Sequence, residues 1–282
     1  MKAKDNIPTI GISEFRMDLQ VNNSFQYHQI RGARFIEKPH KHDFFLFLLF
    51  EEGSGTHTID FVEHHVTANQ IHLLFPGQVH SWKLGDETVA QQTMISQRIF
   101  ETFTHSLRYN LVHYQNHPVL NLSRQIFREI LYEFKAIESE LLSETILWDI
   151  ISARCSIIAQ MVSREAEQAF EDLKIYHAKP VLFEYNKMIN TYFRDQKSVS
   201  FYAGKLNISP NYLNILCKRH FHTSATSLIH NRLTLEAKRL LLTSKSSIKE
   251  IAYHLGFYDL AYFSKFFKSQ TGLGPREFRE ML

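Results

Sequence analysis

Residues 247–279 read Ser-Ile-Lys-Glu-Ile-Ala-Tyr-His-Leu-Gly-Phe-Tyr-Asp-Leu-Ala-Tyr-Phe-Ser-Lys-Phe-Phe-Lys-Ser-Gln-Thr-Gly-Leu-Gly-Pro-Arg-Glu-Phe-Arg. Apolar residues recur here at the i, i+3, i+4, i+7 spacing of one helical face, namely Ile248, Ile251, Ala252 and Leu255. Ser247 and Asp259 are suited to cap two helices, and Gly256 is expected in the left-handed conformation where the first helix ends. Two short helices joined by a tight turn predict a helix-turn-helix, whose second helix enters the DNA major groove.

The same unit occurs a second time, nearer the middle of the chain. Its apolar residues keep the same spacing, namely Val199, Tyr202, Ala203 and Leu206. Ser209 takes the place of Asp259 as the cap, and Pro210 is suited to be the first helical residue because it lacks an N–H group. An internal repeat of this length is a strong sign of organisation. Between the copies, apolar residues predict a connecting helix from about Ala225 to Thr243, roughly 27 Å long, which would place two recognition helices about one DNA turn apart.

Side chains that face outward on the second helix of each copy are candidates for DNA contact. Asparagine can bind the edge of adenine, apolar groups suit thymine methyls, and lysine suits guanine or phosphate. The alternative is that each of these side chains is merely solvated. The candidates are Ser209, Asn211, Tyr212, Asn214, Ile215 and Lys218 in the first copy, and Leu260, Ala261, Ser264, Lys265 and Lys268 in the second.

Residues 181–282 resemble the DNA-binding domain of the AraC/XylS family of bacterial transcription regulators. The matching run extends from Ile248 through Gly256 and includes, further on, Phe257, Phe263, Phe267, Gly272, Pro275 and Arg279. The resemblance implies sequence-specific binding of double-stranded DNA, a small-molecule effector in the N-terminal half, a homodimer and no enzymatic activity. His222 stands where the second copy has Gly272, so the turn after the first copy is expected to differ.

The charge is divided unevenly along the 282 residues. From Pro180 onward there are 15 Lys and Arg against 7 Asp and Glu, a net charge of +8, whereas residues 1–179 carry a net charge of −5. A basic half beside an acidic half suits DNA binding by the C-terminal half alone. The alternative is two solvated surfaces that happen to differ in charge.

Two cysteines, Cys155 and Cys217, lie inside predicted helices without C-x-x-C spacing, which indicates core residues in a reducing compartment. The first twenty residues lack a sustained apolar core, so no cleavable signal peptide is predicted. The longest apolar run, Phe44–Phe50, is far shorter than the ~20 residues of a membrane-spanning helix. We therefore expect a cytoplasmic protein that does not interact with membranes.

Residues 1 to about 120 are predicted to be rich in strands, because short apolar runs such as Phe44–Phe50, His57–Val62 and Ile71–Phe75 alternate with turn residues. His40 and His42 are two residues apart and therefore share one face of a strand. With the Pro76-Gly77 turn that precedes a third histidine, this stretch resembles the cupin barrel. The resemblance implies an effector pocket formed by His40, His42, Phe44, Leu46 and His80.

Cupin barrels can hold a metal through an H-x-H pair, a later glutamate and a third histidine. Leu46 stands at the glutamate position, so we expect neither a metal nor another cofactor. The alternative is a divalent ion held by His40, His42 and His80 with water as a fourth ligand. The remaining histidines are expected on the surface or on strand faces, including His57, His64, His65 and His72.

From about residue 122 to 170 the apolar period becomes helical, with a face wide enough to pack on the barrel and also to meet another helix. We interpret this face as a dimer interface, since a two-fold dimer is the commonest oligomer; the alternative is packing on the barrel alone. The polar segment 172–180, which ends in proline, is predicted to be an interdomain linker.

The sequence thus predicts an α+β protein with two domains. Residues 1–171 form a cupin-like effector-binding and dimerisation domain, with a barrel over about 1–120 and flanking helices over about 122–170. Residues 181–282 form an all-α domain with two helix-turn-helix motifs and a connecting helix. Two alternatives remain: a cupin-type metalloprotein or metalloenzyme with an accessory helical domain, and a constitutive regulator whose barrel only dimerises.

Overall fold

The structure is a computed structural model that describes residues 9–12, 19–22, 24–103, 111–244 and 246–280. The chain divides into two compact units, of which the first ends at Phe170 and the second begins at Glu171. The first unit holds the sheets and four helices, and the second is helical, so the predicted α+β class is confirmed.

The first unit is built on two sheets. One has five strands, in the order β1 (Thr9–Ile10), β4 (Arg34–His42), β9 (Val79–Leu84), β6 (Gly55–Ile59) and β7 (Val62–His65). The other has six, in the order β11 (Val119–Asn121), β8 (Gln70–Leu74), β5 (Phe45–Glu52), β10 (Val89–Ile95), β3 (Phe25–Arg31) and β2 (Leu19–Asn22). Strands β1 and β4 are parallel, and the other pairs are antiparallel.

Strand β5 explains the longest apolar run of the sequence, because it is buried on both faces. Leu46, Leu48 and Phe50 belong to the core between the two sheets. On the opposite face, the ring of Phe45 stacks on Phe100, with the ring centres 3.5 Å apart. A strand covered on both sides has no polar alternation, which is the pattern the sequence shows.

The run His57–Val62, predicted as one strand, contains a hairpin turn instead. Strand β6 ends at Ile59 and β7 begins at Val62. Asp60 and Phe61, between them, have φ angles of 47° and 71°. Two successive positive φ angles are typical of a two-residue hairpin loop, and aspartate is a favoured residue there. The Asp60 carboxylate also accepts hydrogen bonds from the Gln78 side-chain amide and from the backbone N–H of Val79, which stabilises the turn.

The helices of the first unit are α1 (Gln97–Phe103), α2 (Leu111–Asn116), α3 (Arg124–Leu141) and α4 (Trp148–Ala169). The first two lie in the region predicted to be rich in strands. Helix α1 forms because its aromatic residues Phe100 and Phe103 are fully buried. Helix α4 packs through one face, which includes Ile151 and Ile158, and leaves Ile157 on an exposed face.

The second unit contains α5 (Glu171–Ala178), α6 (Pro180–Tyr192), α7 (Val199–Lys205), α8 (Pro210–Phe221), α9 (Ala225–Thr243), α10 (Ile248–His254), α11 (Leu260–Thr271) and α12 (Pro275–Glu280). The predicted linker 172–180 is therefore mostly helical. Leu173 and Tyr176 of α5 are buried, and the Tyr176 hydroxyl accepts a hydrogen bond from Asn186 at 2.8 Å. These contacts make the segment part of the helical unit, which its polar composition did not reveal.

Both cysteines are buried free thiols. Burial raises the pKa of Cys155 to about 12 and that of Cys217 to about 11, so both remain protonated at neutral pH. Within the residues that the structure describes, no helix is both long and apolar enough to cross a membrane.

Candidate functional site

Helices α7 and α8 form the first helix-turn-helix. The Ser209 hydroxyl caps α8 by accepting a hydrogen bond from the backbone N–H of Tyr212 at 3.1 Å, and Pro210 is the first helical residue. The turn between the helices passes through Asn207, with a φ angle of 54°. Tyr202 is fully buried and anchors α7 to the core of the unit. The predicted caps and helix ends are confirmed here.

Helices α10 and α11 form the second copy. Ser247 and Glu250 make a reciprocal capping box at the start of α10, and the Asp259 carboxylate accepts two backbone N–H groups at the start of α11. Gly256 has a φ angle of +72°. A Cβ atom added at Gly256 would lie 2.0 Å from the carbonyl oxygen of Arg194. Glycine is therefore required both by the left-handed conformation and by the close approach of another backbone.

The turns that follow the two copies are alike, although their residues differ. His222 after α8 and Gly272 after α11 are both left-handed, with φ angles of 54° and 80°. Histidine is among the residues that adopt positive φ more often than most. The difference expected between these turns from the His222 position is not found.

Most of the predicted DNA-contacting residues share one property: their side chains are exposed along α8 and α11. Ile215 is 42% exposed and Leu260 is 40% exposed, so both apolar side chains are accessible to a partner. The exposed members are Ser209, Asn211, Tyr212, Ile215, Lys218, Leu260, Ala261, Lys265 and Lys268.

Two predicted members, Asn214 and Ser264, are only partly exposed. The Asn214 side-chain oxygen accepts the backbone N–H of Ala225 at 3.1 Å and so ties α8 to the start of α9. The Ser264 hydroxyl donates to the Leu260 carbonyl of its own helix. Asn214 and Ser264 are equivalent in the repeat. The outermost positions are therefore those one residue later, Ile215 and Lys265, and not Asn214.

Sequence reasoning omitted the exposed tyrosines of the second copy. Tyr262 is 63% exposed and is the repeat equivalent of Tyr212, which was predicted; applying the repeat strictly would have found it. Tyr258, in the turn before α11, is also almost fully exposed. A tyrosine hydroxyl is a common partner of DNA phosphate.

A charged cluster ties the connecting helix α9 to the loop between α6 and α7. Both oxygens of Glu236 are engaged, one by Arg194 at 3.1 Å and the other by Arg232 at 2.9 Å. Burial alone would raise the pKa of Glu236, but the charge and hydrogen bond of Arg232, together with Arg239 and Arg194, outweigh it and lower the pKa. The ammonium group of Lys197 donates to the carbonyls of Arg194 and Gly256, at 2.6 and 2.8 Å, which joins the loop before α7 to the turn of the second motif.

The first unit contains a cavity of about 160 Å³ between its sheets. It is lined by His28, Ile30, Arg34, Ile36, His40, His42, Leu46, His80, Trp82, Gln92 and Met94. The structure thus brings together His40, His42, Leu46 and His80 as predicted. Phe44 is not in this lining; it packs against the His42 ring, with the ring centres 4.4 Å apart.

Three histidines converge in the cavity. The nitrogens that His40, His42 and His80 offer lie within 4.8 Å of one another, and all three side chains are buried. Burial, and secondly the charge of His40, lowers the pKa of His42 to about 3. Burial likewise lowers the pKa of His40 and, with its neighbouring histidines, that of His80. Neutral imidazoles are the form that binds Zn²⁺, Ni²⁺, Cu²⁺ or Fe²⁺, so these residues fit a transition metal even though Leu46 supplies no ligand.

Two further histidines, His57 and His72, lie directly behind this cluster and are fully buried. Of the two expected positions, the surface and a strand face, the structure gives the strand face, and for both histidines it is an inward face. His57 is hydrogen-bonded to His80 at 3.0 Å and to His72 at 2.9 Å. The alternation of strand β6, which places His57 and Ile59 on the same inward face, was the signal in the sequence.

Comparison with known proteins matches both units to family models. A model described as an AraC-like ligand binding domain matches residues 25–151, and a model described as a helix-turn-helix domain matches residues 202–281. The first covers strands β3 to β11 and helices α1 to α3, and the second covers both recognition helices.

Individual relatives are similar over different lengths. The raffinose operon transcriptional regulatory protein RafR of Pediococcus pentosaceus is 38% identical over 77 residues, which is 27% of this chain and 28% of that protein. The HTH-type transcriptional activator RhaS of Enterobacter sp. (strain 638) is 21% identical over 247 residues, covering 86% of this chain and 87% of that protein. Among solved structures, ToxT of Vibrio cholerae O395 has a TM-score of 0.45 and 16% identity, covering 93% of this chain and 99% of that one.

Proposed function

We propose that this chain, which belongs to the AraC/XylS family of transcription regulators, binds specific sequences of double-stranded DNA and responds to a small molecule held in its cavity. The observation that carries the proposal is the repeated helix-turn-helix. Helices α8 and α11 expose equivalent faces, and both pack against α9. The net charge of +8 from Pro180 onward supplies the attraction to phosphate that such a surface needs.

On DNA, some side chains of the two recognition helices would contact base edges and others would contact the DNA phosphates. Asn211 suits an adenine edge, Ile215 and Leu260 suit thymine methyls, and Lys265 suits guanine. Lys218 and Lys268 lie one turn further along and suit phosphate, as do the exposed tyrosines. Base contacts give sequence preference, whereas phosphate contacts give affinity and orientation.

The effector would occupy the cavity between the sheets. Its volume of about 160 Å³ is close to the ~150 Å³ of an engineered cavity that binds benzene, so a molecule of roughly six to ten nonhydrogen atoms fits. Arg34, His28 and Gln92 offer polar contacts, while Trp82 and Ile36 offer apolar ones. A cavity with both kinds of group orients a small polar ligand.

The similar proteins RafR and RhaS are named as transcription regulators, and we propose that this chain is not an enzyme. The alternative of a cupin-type metalloprotein is favoured by one observation, the convergence of His40, His42 and His80. When bound there, a metal would act as a Lewis acid that fixes one oxygen or nitrogen of a small ligand. No carboxylate that could act as a general base is among the residues described around the cavity. We therefore propose that a metal would take part in ligand recognition and not in hydrolytic catalysis.

Enrichment of random DNA on the full-length protein, followed by titration of the enriched site at several salt concentrations, tests the proposal. We expect one preferred sequence and an affinity that falls steeply with salt, because Lys and Arg displace counterions from phosphate. Lys265→Glu is expected to abolish the preference. Lys187→Glu makes the same charge change at an exposed position on α6 and is the control. Absence of any enriched sequence, or equal binding by Lys265→Glu and wild type, would contradict DNA recognition through these helices.

A further inference from the structure

We propose that His57, His72 and Gln70 form a buried hydrogen-bonded relay that fixes the tautomer of His80, so that His80 presents a free electron pair to a divalent transition-metal ion held with His40 and His42. The inference goes beyond the proposed function, because metal binding through this relay is independent of whether the chain regulates transcription.

The relay has a direction, which is set at Gln70. The side-chain oxygen of Gln70 accepts the backbone N–H of Thr67 at 2.9 Å, and its amide nitrogen donates to Asn121 at 2.8 Å. A backbone N–H can only donate, so the orientation of the Gln70 amide is determined. The same oxygen lies 3.2 Å from Nε2 of His72. Nε2 of His72 must therefore carry the proton.

The direction then passes from ring to ring. The three rings are neutral, because all of them are buried against one another and a charged imidazolium without an anionic partner is costly to bury. A neutral imidazole has one donor and one acceptor nitrogen. With its proton on Nε2, His72 accepts at Nδ1 from Nδ1 of His57, 2.9 Å away. His57 then accepts at Nε2 from Nδ1 of His80, 3.0 Å away.

The last step leaves Nε2 of His80 without a proton. This atom borders the cavity and, without an ion, accepts a hydrogen bond from Nε2 of His42 at 2.7 Å. A bound ion would take the place of that proton, which His42 would then carry on Nδ1. His80 thus has an acceptor for its one ring proton outside the cavity, namely Nε2 of His57. Metal-binding histidines characteristically place their second nitrogen on such an acceptor, which fixes the ring and its tautomer.

A simpler role for the relay would be to satisfy buried polar groups between the sheets. That role requires hydrogen bonds but no particular direction. The direction matters only if the lone pair of His80 is used. Removing the acceptor at Gln70 should therefore weaken metal binding if the relay fixes the tautomer, and should leave it unchanged if the relay only satisfies buried groups.

The test uses the full-length, chelator-treated protein without an affinity tag. Zn²⁺ affinity is measured by competition with a chromogenic chelator, and Co²⁺ coordination is measured by visible absorption. We expect one ion per chain in the wild type and none in the His40→Ala, His42→Ala double variant. Gln70→Met removes the acceptor and is expected to weaken Zn²⁺ binding about 10–100-fold, as His57→Gln should. Gln70→Glu keeps an acceptor for both N–H groups, while Asn121 can rotate its amide to donate, so near wild-type affinity is expected.

The control is His65→Gln, an exposed position on β7 outside the relay, which should bind Zn²⁺ as the wild type does. Where a core variant fails to fold, nitrogen-15 NMR of the wild-type histidines decides: Nδ1–H is expected for His57 and His80, and Nε2–H for His72. Absence of Zn²⁺ and Co²⁺ binding, the opposite tautomers, or wild-type affinity in folded Gln70→Met would each overturn the proposal. None of these outcomes bears on DNA binding, which is measured separately.

Discussion

At the scale of single residues, the repeat and the hydrogen bonds assign different roles to neighbouring outward positions. The side-chain oxygen of Asn214 accepts a hydrogen bond from the backbone N–H of Ala225. The next position in each copy of the repeat, Ile215 in the first and Lys265 in the second, is exposed and can contact a partner. A one-residue step rotates a side chain by about 100° around a helix. Which asparagine or lysine reads a base therefore depends on the helix register, and the sequence pattern defined that register to within one residue.

This difference leads to a prediction about base reading. Lys265→Ala should weaken binding to the preferred site by ~1–3 kcal/mol and flatten the preference at one or two base positions. Asn214→Ala should leave base preference unchanged and lower the free energy of unfolding by ~1 kcal/mol, because it removes the partner of the Ala225 amide. Binding to a panel of single-base variants of the site, with thermal melting of each protein, measures both effects. Loss of base preference in Asn214→Ala would mean that its amide does reach the DNA.

The sequence predicted the helical elements well and the cavity only in part. Caps at Ser209, Ser247 and Asp259 were found because capping is local and depends on one or two residues. His57 and His72 were missed because their partners are distant in the chain: strand β6 pairs with β9, and β8 belongs to the other sheet. Only the fold brings those histidines together. The helix in segment 172–180 was not predicted because only Leu173 and Tyr176 in it are buried, too few apolar positions to show a helical period.

At the scale of elements, the charged cluster on α9 fastens the connecting helix to the loop between α6 and α7. Glu236 is largely buried and forms ion pairs with three arginines at once, Arg194, Arg232 and Arg239. Removing one partner from a buried charge cluster costs more than the cluster itself contributes, since unpaired charges remain. The arginines around Glu236 are therefore expected to make α9 sensitive to substitution at this one position.

Glu236→Gln is predicted to lower the free energy of unfolding by ~1–3 kcal/mol at pH 7. The folded pKa of Glu236 is lower than the unfolded value of 4.5, so its contribution is fully present above pH 4.5 and is lost as the pH falls through the folded pKa. The difference between wild type and Glu236→Gln should shrink accordingly in acid. Urea unfolding followed by circular dichroism measures it, while fluorescence of the two tryptophans, Trp82 and Trp148, reports on the first unit.

The matched control is Glu280→Gln, which removes an exposed carboxylate paired with Arg276 and should change stability by less than ~0.5 kcal/mol. A Glu236→Gln effect that stays constant down to pH 3 would show that packing around the side chain, and not its charge, is what stabilises α9.

At the scale of the whole molecule, the two units carry opposite net charge and different surfaces. The second unit is basic, whereas the first has an apolar stripe on α4 formed by Ile150, Ala153 and Ile157, all exposed. The face of α4 that packs internally runs alongside it through Ile151 and Ile158. This is the double-width apolar face that the sequence predicted for a helix with one internal and one external partner. We propose that a second copy of the chain covers it.

In a two-fold dimer each residue of the stripe occurs twice in the interface, so one substitution places two carboxylates there. Ile157→Glu is therefore predicted to raise the dimer dissociation constant at least 100-fold, which corresponds to about 2.7 kcal/mol, because a charge without a partner is costly to bury. Val62→Glu, at the exposed first residue of β7, introduces the same charge at a similarly exposed apolar residue and should leave the dimer intact.

Sedimentation velocity over a range of concentrations distinguishes the Ile157→Glu and Val62→Glu variants. The melting temperature of Ile157→Glu should differ little from that of the wild type at concentrations where both are monomeric. A wild-type chain that stays monomeric at high concentration, or an Ile157→Glu variant that still dimerises as the wild type does, would assign the stripe no role in self-association.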